Sequence, residues 1–231
     1  TYFDLSSSGV GQGGEEATRA LEAFFAAIEP SRPPLGVLYL SDCRAVTDRV
    51  VVALAGALDH SLRRLYLSEC SELSSWSLAL LLQCCESLQV LNIAKCTRVD
   101  DTTFCGPIAL PPMPPDEASD LVARFYDALE RPFALPRTLQ TLNLSHCSNL
   151  TPRTTKALAQ LPSLGWIEAS NCVNMIDDDG LLALAQPSLH SLDITHCTHL
   201  TGACFDELGR RFCRDGAPFR WLMFAQTEVG A

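Results

Sequence analysis

A nine-residue phrase ending in cysteine recurs six times along this chain, and its spacing constrains the fold more than any other feature. Written Leu-x-x-Leu-x-Leu-x-x-Cys, it runs Leu35 to Cys43, Leu62 to Cys70 and Leu88 to Cys96, then Leu139 to Cys147, Leu164 to Cys172 and Leu189 to Cys197. Isoleucine or alanine replaces leucine at some apolar positions, as Ile167, Ala169 and Ile194 do. Successive cysteines stand 27, 26, 51, 25 and 25 residues apart. A period in the twenties accommodates one strand and one return element. Such a unit buries its apolar face only against its neighbours. The expected fold is α/β, a right-handed solenoid of stacked strand–helix units with a parallel sheet on its concave side.

Each phrase reads as a short strand whose first, fourth and sixth positions enter the core while the intervening ones face outward. A polar turn follows the cysteine, then an apolar stretch at helical spacing. Thr47-Asp48 leads to Val51, Val52, Leu54, Ala55 and Leu58; Ser75, read as a helix N-cap, leads to Leu78, Leu81, Leu82 and Cys85. Thr151-Pro152 leads to Leu158 and Leu161, with proline at the helix start where a missing N–H costs nothing. Asp177 to Asp179 lead to Leu181, Leu182 and Leu184, and Thr201 leads to Phe205, Leu208 and Phe212. Two copies lack the cysteine. Phe219 to Thr227 fits the phrase with Thr at its end, and Phe3-x-Leu5-x-x-Ser8 fits its second half. A helix from about Glu15 to Ile28, burying Leu21, Phe24, Phe25 and Ile28, would complete the first unit.

The reading is therefore one domain over residues 1–231, with a degenerate N-terminal repeat or cap over 1–34 and repeats over 35–227. The rhythm breaks once, in the 51-residue gap. Seven of the 14 prolines lie there, between Pro107 and Pro136, with a helix expected around Glu117 to Glu130. One expanded repeat carrying an insert at 105–136 accounts for it. The run around Pro112, Met113 and Pro114 would be extended polyproline, either a stiff spacer or a docking segment.

Six cysteines at one position of successive strands, about 4.8 Å apart, would stack as a buried ladder: Cys43, Cys70, Cys96, Cys147, Cys172 and Cys197. A free thiol is a small hydrophobe with a weak donor, suited to a turn with underused carbonyls. Reduced thiols imply an intracellular, reducing compartment, most simply the cytoplasm. The net charge of −10, without any Lys/Arg run, argues against direct nucleic-acid binding. No apolar stretch approaches the ~20 residues of a membrane span.

The phrase, followed by an apolar residue, Thr and Asp as in Cys43 to Asp48, resembles the cysteine-containing class of leucine-rich repeats; Val99-Asp100-Asp101, Leu150-Thr151 and Leu200-Thr201 are looser copies. That resemblance covers about residues 35 to 227. It implies a protein-interaction module of the kind found in F-box ubiquitin-ligase receptors and in subunits of ciliary and mitochondrial assemblies. The residues before Leu35 are too few for an F-box, and the chain opens on Thr1 rather than Met, so upstream sequence is expected.

In register, the strands lay out columns on the concave face. The third position gives Val37, Arg64, Val90, Thr141, Trp166, Ser191 and Trp221; the fifth gives Tyr39, Tyr66, Asn92, Asn143, Glu168, Asp193 and Met223. Exposed Tyr, Trp and Arg dominate interface hot spots. The candidate partner-binding residues are therefore Tyr39, Arg64, Tyr66, Trp166, Glu168, Asp193, Trp221 and Met223. His146 and His196 share a later column but stand two repeats apart, too far for one metal ion. Asp177 to Asp179 lack calcium-loop spacing, and Gly9 to Gly14 lack the residues of a phosphate loop. No nucleophile motif points to catalysis. The expectation is a non-catalytic scaffold or adaptor within a larger assembly, without cofactor or metal. The apolar last repeat (Trp221, Leu222, Phe224) would be covered by another subunit or by further chain. The substrate-recognition part of an F-box-type ligase is the second reading.

Overall fold

The computed structural model describes residues 2–6, 14–28, 35–106, 132–215, 220–225 and 229–230. Its main sheet is built of three-residue strands: β1 (Tyr2–Asp4), β2 (Val37–Tyr39), β3 (Arg64–Tyr66), β4 (Val90–Asn92), β5 (Thr141–Asn143), β6 (Trp166–Glu168) and β7 (Ser191–Asp193). A two-residue β8 (Leu200–Thr201) lies apart, and β9 (Trp221–Met223) closes the main sheet. The eight strands run β1-β2-β3-β4-β5-β6-β7-β9, each parallel to the next. The short β10 (Val229–Gly230) pairs with β8. Between strands lie α1 (Glu15–Ala26), α2 (Asp48–Leu58), α3 (Ser75–Cys84), α4 (Thr102–Cys105), α5 (Pro152–Leu158), α6 (Asp178–Leu184) and α7 (Gly202–Asp215). Parallel strands in chain order, each returned by a helix, make a leucine-rich repeat solenoid.

The strands are short because the chain turns at the eighth position of every phrase. Asp42, Glu69, Lys95, His146, Asn171 and His196 all have φ between 55° and 65°. This left-handed region costs an ordinary L-residue roughly 1–2 kcal/mol, less for Asn and Asp. The eighth position is thus a turn position, and strand alternation ends before it. The fourth and sixth positions are buried throughout, from Leu38 and Leu40 to Leu192 and Ile194.

The turn swings the cysteine inward. From Cys70 to Cys197, the ladder Cys backbone N–H donates to the sixth-position carbonyl of its own phrase, as Cys70 does to Leu67 at 3.2 Å and Cys147 to Leu144 at 3.0 Å. The thiol reaches one repeat back to the same type of carbonyl: Cys70 to Leu40 (3.2 Å), Cys96 to Leu67 (3.2 Å), Cys147 to Ile93 (3.3 Å), Cys172 to Leu144 (2.9 Å) and Cys197 to Ala169 (3.6 Å). These carbonyls point away from the strand ladder, so the two donors use both lone pairs. All six ladder cysteines are free and buried.

A second ladder joins helix starts. Asp48 accepts from the Ser74 N–H and from the Ser74 and Ser77 hydroxyls; Asp101 does the same with Thr151 and Thr154, and Asp178 with Thr201. The N-cap of α3 is Ser74, not Ser75. Ser75 is the first helical residue, and its hydroxyl accepts from the Asp100 N–H in the next repeat. Asp177 caps α6 through the Gly180 N–H at 2.8 Å.

Across the doubled gap, β4 pairs directly with β5. A single helical turn, α4, holds the convex position there. The chain leaves this repeat at Gly106 (φ 87°), and a Cβ there would stand 2.7 Å from the Phe133 ring, so the two ends of the insert meet. Pro112, Met113, Pro114 and the helix expected near 117–130 lie outside the described residues, as do Gly9, Phe219 and Thr227. On α1, Leu21 and Phe25 are buried, but Phe24 is exposed and stacks on Phe3 instead, at 4.9 Å.

Candidate functional site

Helices cover one face of the sheet, which leaves the third and fifth positions of each strand on the open face. Their Cα register aligns Val37, Arg64, Val90, Thr141, Trp166, Ser191 and Trp221 in one column and Tyr39, Tyr66, Asn92, Asn143, Glu168, Asp193 and Met223 in the other. The sequence-derived candidates therefore fall into two groups.

At the first end, Tyr39 and Tyr66 stack with ring centroids 4.6 Å apart and planes 10° apart. Both are half-buried, and Arg64 beside them is exposed. Sequence reasoning missed Tyr2, which extends the third-position column beyond Val37 and is 72% exposed. Its signal was present: placing Phe3 at the fourth position of a degenerate phrase puts Tyr2 at the third.

At the other end, Trp166 is 42% exposed, Trp221 66% and Met223 51%. These large apolar side chains form exposed apolar surface on the open face. Phe224 is also exposed and rests against Phe205, with centroids 5.3 Å apart. Glu168 accepts from the Trp166 indole N–H at 3.1 Å and from the Asn143 amide. Asp193 has a structural duty: its Oδ1 accepts the Thr195 N–H at 2.9 Å, as Asn92 does for Ala94 and Asn143 for Ser145. Asx turns of this kind shape the bend after the strand.

His146 is exposed and His196 half-buried, both on the turn rather than on a strand. Among the described residues no three of His, Cys, Asp and Glu gather where they could hold a metal ion. Burial pushes the ladder thiols up, to about 11 at Cys172 and about 12 at Cys70, Cys96 and Cys197. Such thiols are inert rather than nucleophilic. Among the described residues no helix is long and apolar enough to cross a membrane.

No family model matches the chain, and no curated protein matches it. Among solved structures, it is similar to a chain in the crystal structure of the yeast Rad7 and Elc1 complex, at 18% identity and a TM-score of 0.39, over 84% of this chain and 57% of that one. It is also similar to a leucine-rich repeat protein from Bacteroides eggerthii, at 11% identity and a TM-score of 0.33, over 78% of this chain and 30% of that one. The chain thus spans little more than half of the first and under a third of the second. The fold assignment stands on the repeat geometry itself.

Proposed function

We propose that this chain is a non-catalytic interaction scaffold, a subunit of a larger protein assembly, and that it binds its partner across the open face of the sheet. Leucine-rich repeat solenoids generally mediate protein–protein interactions. One observation carries the reading here: Trp166, Trp221 and Met223 stand exposed on the open face, while the inward residues of their strands are buried at Ile167 and half-buried at Leu222. The rigid ladder beneath them means that little ordering entropy is lost on binding. The thiol-to-carbonyl ladder requires reduced cysteines and accords with a reducing compartment.

Native size-exclusion chromatography of cell extract, followed by affinity purification and quantitative mass spectrometry, tests the assignment. A scaffold subunit elutes well above the mass its polypeptide shows under denaturing conditions, with partners at fixed stoichiometry. Elution as a free monomer contradicts the reading.

A further inference from the structure

The open face is not electrically uniform. Strands β5, β6, β7 and β9 carry two charged residues, Glu168 and Asp193, both carboxylates and adjacent in register. Among the residues directly flanking these strands, Arg220 is the one Lys or Arg, and it sits with His190 at the strand starts, at the opposite end from the carboxylates.

Between the two tryptophans, one strand from each, stands a single small residue. Trp166 and Trp221 each pair in register with Ser191, whose small side chain is 5% exposed. Strands two apart in a sheet are about 9.6 Å apart, so the two indoles flank Ser191, which is left buried between them. The Trp166 ring is held along its strand by the bond from its N–H to Glu168. That bond also places a carboxylate at the end of the indole.

An aromatic wall ending in a carboxylate is complementary to a cation. A planar guanidinium suits it better than an ammonium, because it stacks on the ring while its N–H fork reaches the acid. Glu168 and Asp193 already accept hydrogen bonds, but each carboxylate offers about four lone-pair sites. We propose that the exposed indole surface of Trp166 and Trp221 receives an arginine side chain from a protein partner, stacked on indole and bonded to Glu168 and Asp193. This rests on the open face being the binding face.

The chain has three tryptophans, and the third, Trp76 on α3, serves as an internal control. The experiment follows the three indole N–H signals by NMR while a capped Gly/Ser octapeptide bearing one arginine is added to about 10 mM, since one side chain supports only millimolar affinity. A matched peptide carries citrulline, which has the same shape without the charge. Saturable shifts at Trp166 and Trp221 but not Trp76, at least fivefold weaker with citrulline and with the Glu168→Gln/Asp193→Asn variant, are expected. Equal binding of citrulline, unchanged binding by the carboxylate variant, or no saturable shift at either tryptophan overturns the proposal. The open-face reading fails separately: it falls if cellular partners survive Trp166→Ala/Trp221→Ala, whatever the peptide does. Partners lost in that variant without arginine dependence in the titration overturn the arginine assignment alone.

Discussion

The Cys172 thiol lies 2.9 Å from the carbonyl oxygen of Leu144, one repeat back, where that oxygen already accepts the Cys147 N–H. The repeated cysteine is thus a donor that completes its neighbour's turn. Cys172→Ala removes that donor and leaves a small void, and we expect a loss of about 1–2 kcal/mol in urea unfolding. An alanine variant as stable as wild type would contradict this role.

The same burial makes stability sensitive to alkali. Burial raises the thiols of Cys70, Cys96 and Cys197 from 9.0 to about 12 and that of Cys172 to about 11. The folded chain therefore keeps protons that the unfolded chain releases. Their contribution is complete below pH 9 and is lost as pH rises through the 11–12 range, with a slope approaching about 1.4 kcal/mol per pH unit for each thiol. Urea midpoints measured from pH 8 to 11 should fall increasingly steeply, and a flat profile contradicts the buried ladder.

Alkylation reads the ladder residue by residue. In the native protein Cys105, exposed at the end of α4, should react with N-ethylmaleimide ahead of the other described cysteines. The six ladder thiols should react only at the rate of unfolding, as peptide mass spectrometry would show. Fast labelling of Cys147 or Cys172 in the folded chain would contradict their burial.

The carboxylate ladder is tested at Asp101. Burial alone would raise its carboxyl, but hydrogen bonds from Thr151 and Thr154 outweigh that and hold it below 3.8. Its contribution is present above about pH 4 and is lost as pH falls through the depressed value. Asp101→Ala should cost about 2–3 kcal/mol near neutral pH, from bonds to a charged acceptor. That deficit should shrink in acid. A deficit independent of pH would point to packing instead.

At the neck of the insert, Gly106→Ala forces a Cβ into the left-handed region and against Phe133. The expected loss is about 2 kcal/mol. Adding Phe133→Ala removes the ring contact but keeps a Cβ 2.9 Å away, whereas Phe133→Gly removes both. Melting temperatures of Gly106→Ala in these two backgrounds, each against its own single variant, separate the clash from the backbone strain.

The cysteine phrase made the strands readable because it sets their register: β2 to β7 and β9 fall on its third to fifth positions. The turn at the eighth position was not readable. Asp42, Glu69, Lys95, His146, Asn171 and His196 share one backbone conformation but little chemistry, and neither Glu nor Lys favours it. The Asp48, Asp101 and Asp178 braces were also hidden, because their partners lie a repeat away, across the insert in the case of Asp101. On the open face, the columns placed Trp166 beside Glu168, but only side-chain geometry shows the indole bonded to that carboxylate. Asp193 showed the reverse, since part of its capacity goes to the turn at Thr195.

The central claim, that the open face of the sheet is the binding surface, is tested most directly by the Trp166→Ala/Trp221→Ala variant. Both side chains are exposed, so its melting temperature should match wild type within a few degrees. In parallel quantitative affinity purifications, partners that copurify stoichiometrically with wild type should fall at least tenfold with the folded variant. Retention of the same partners at the same stoichiometry would contradict the account.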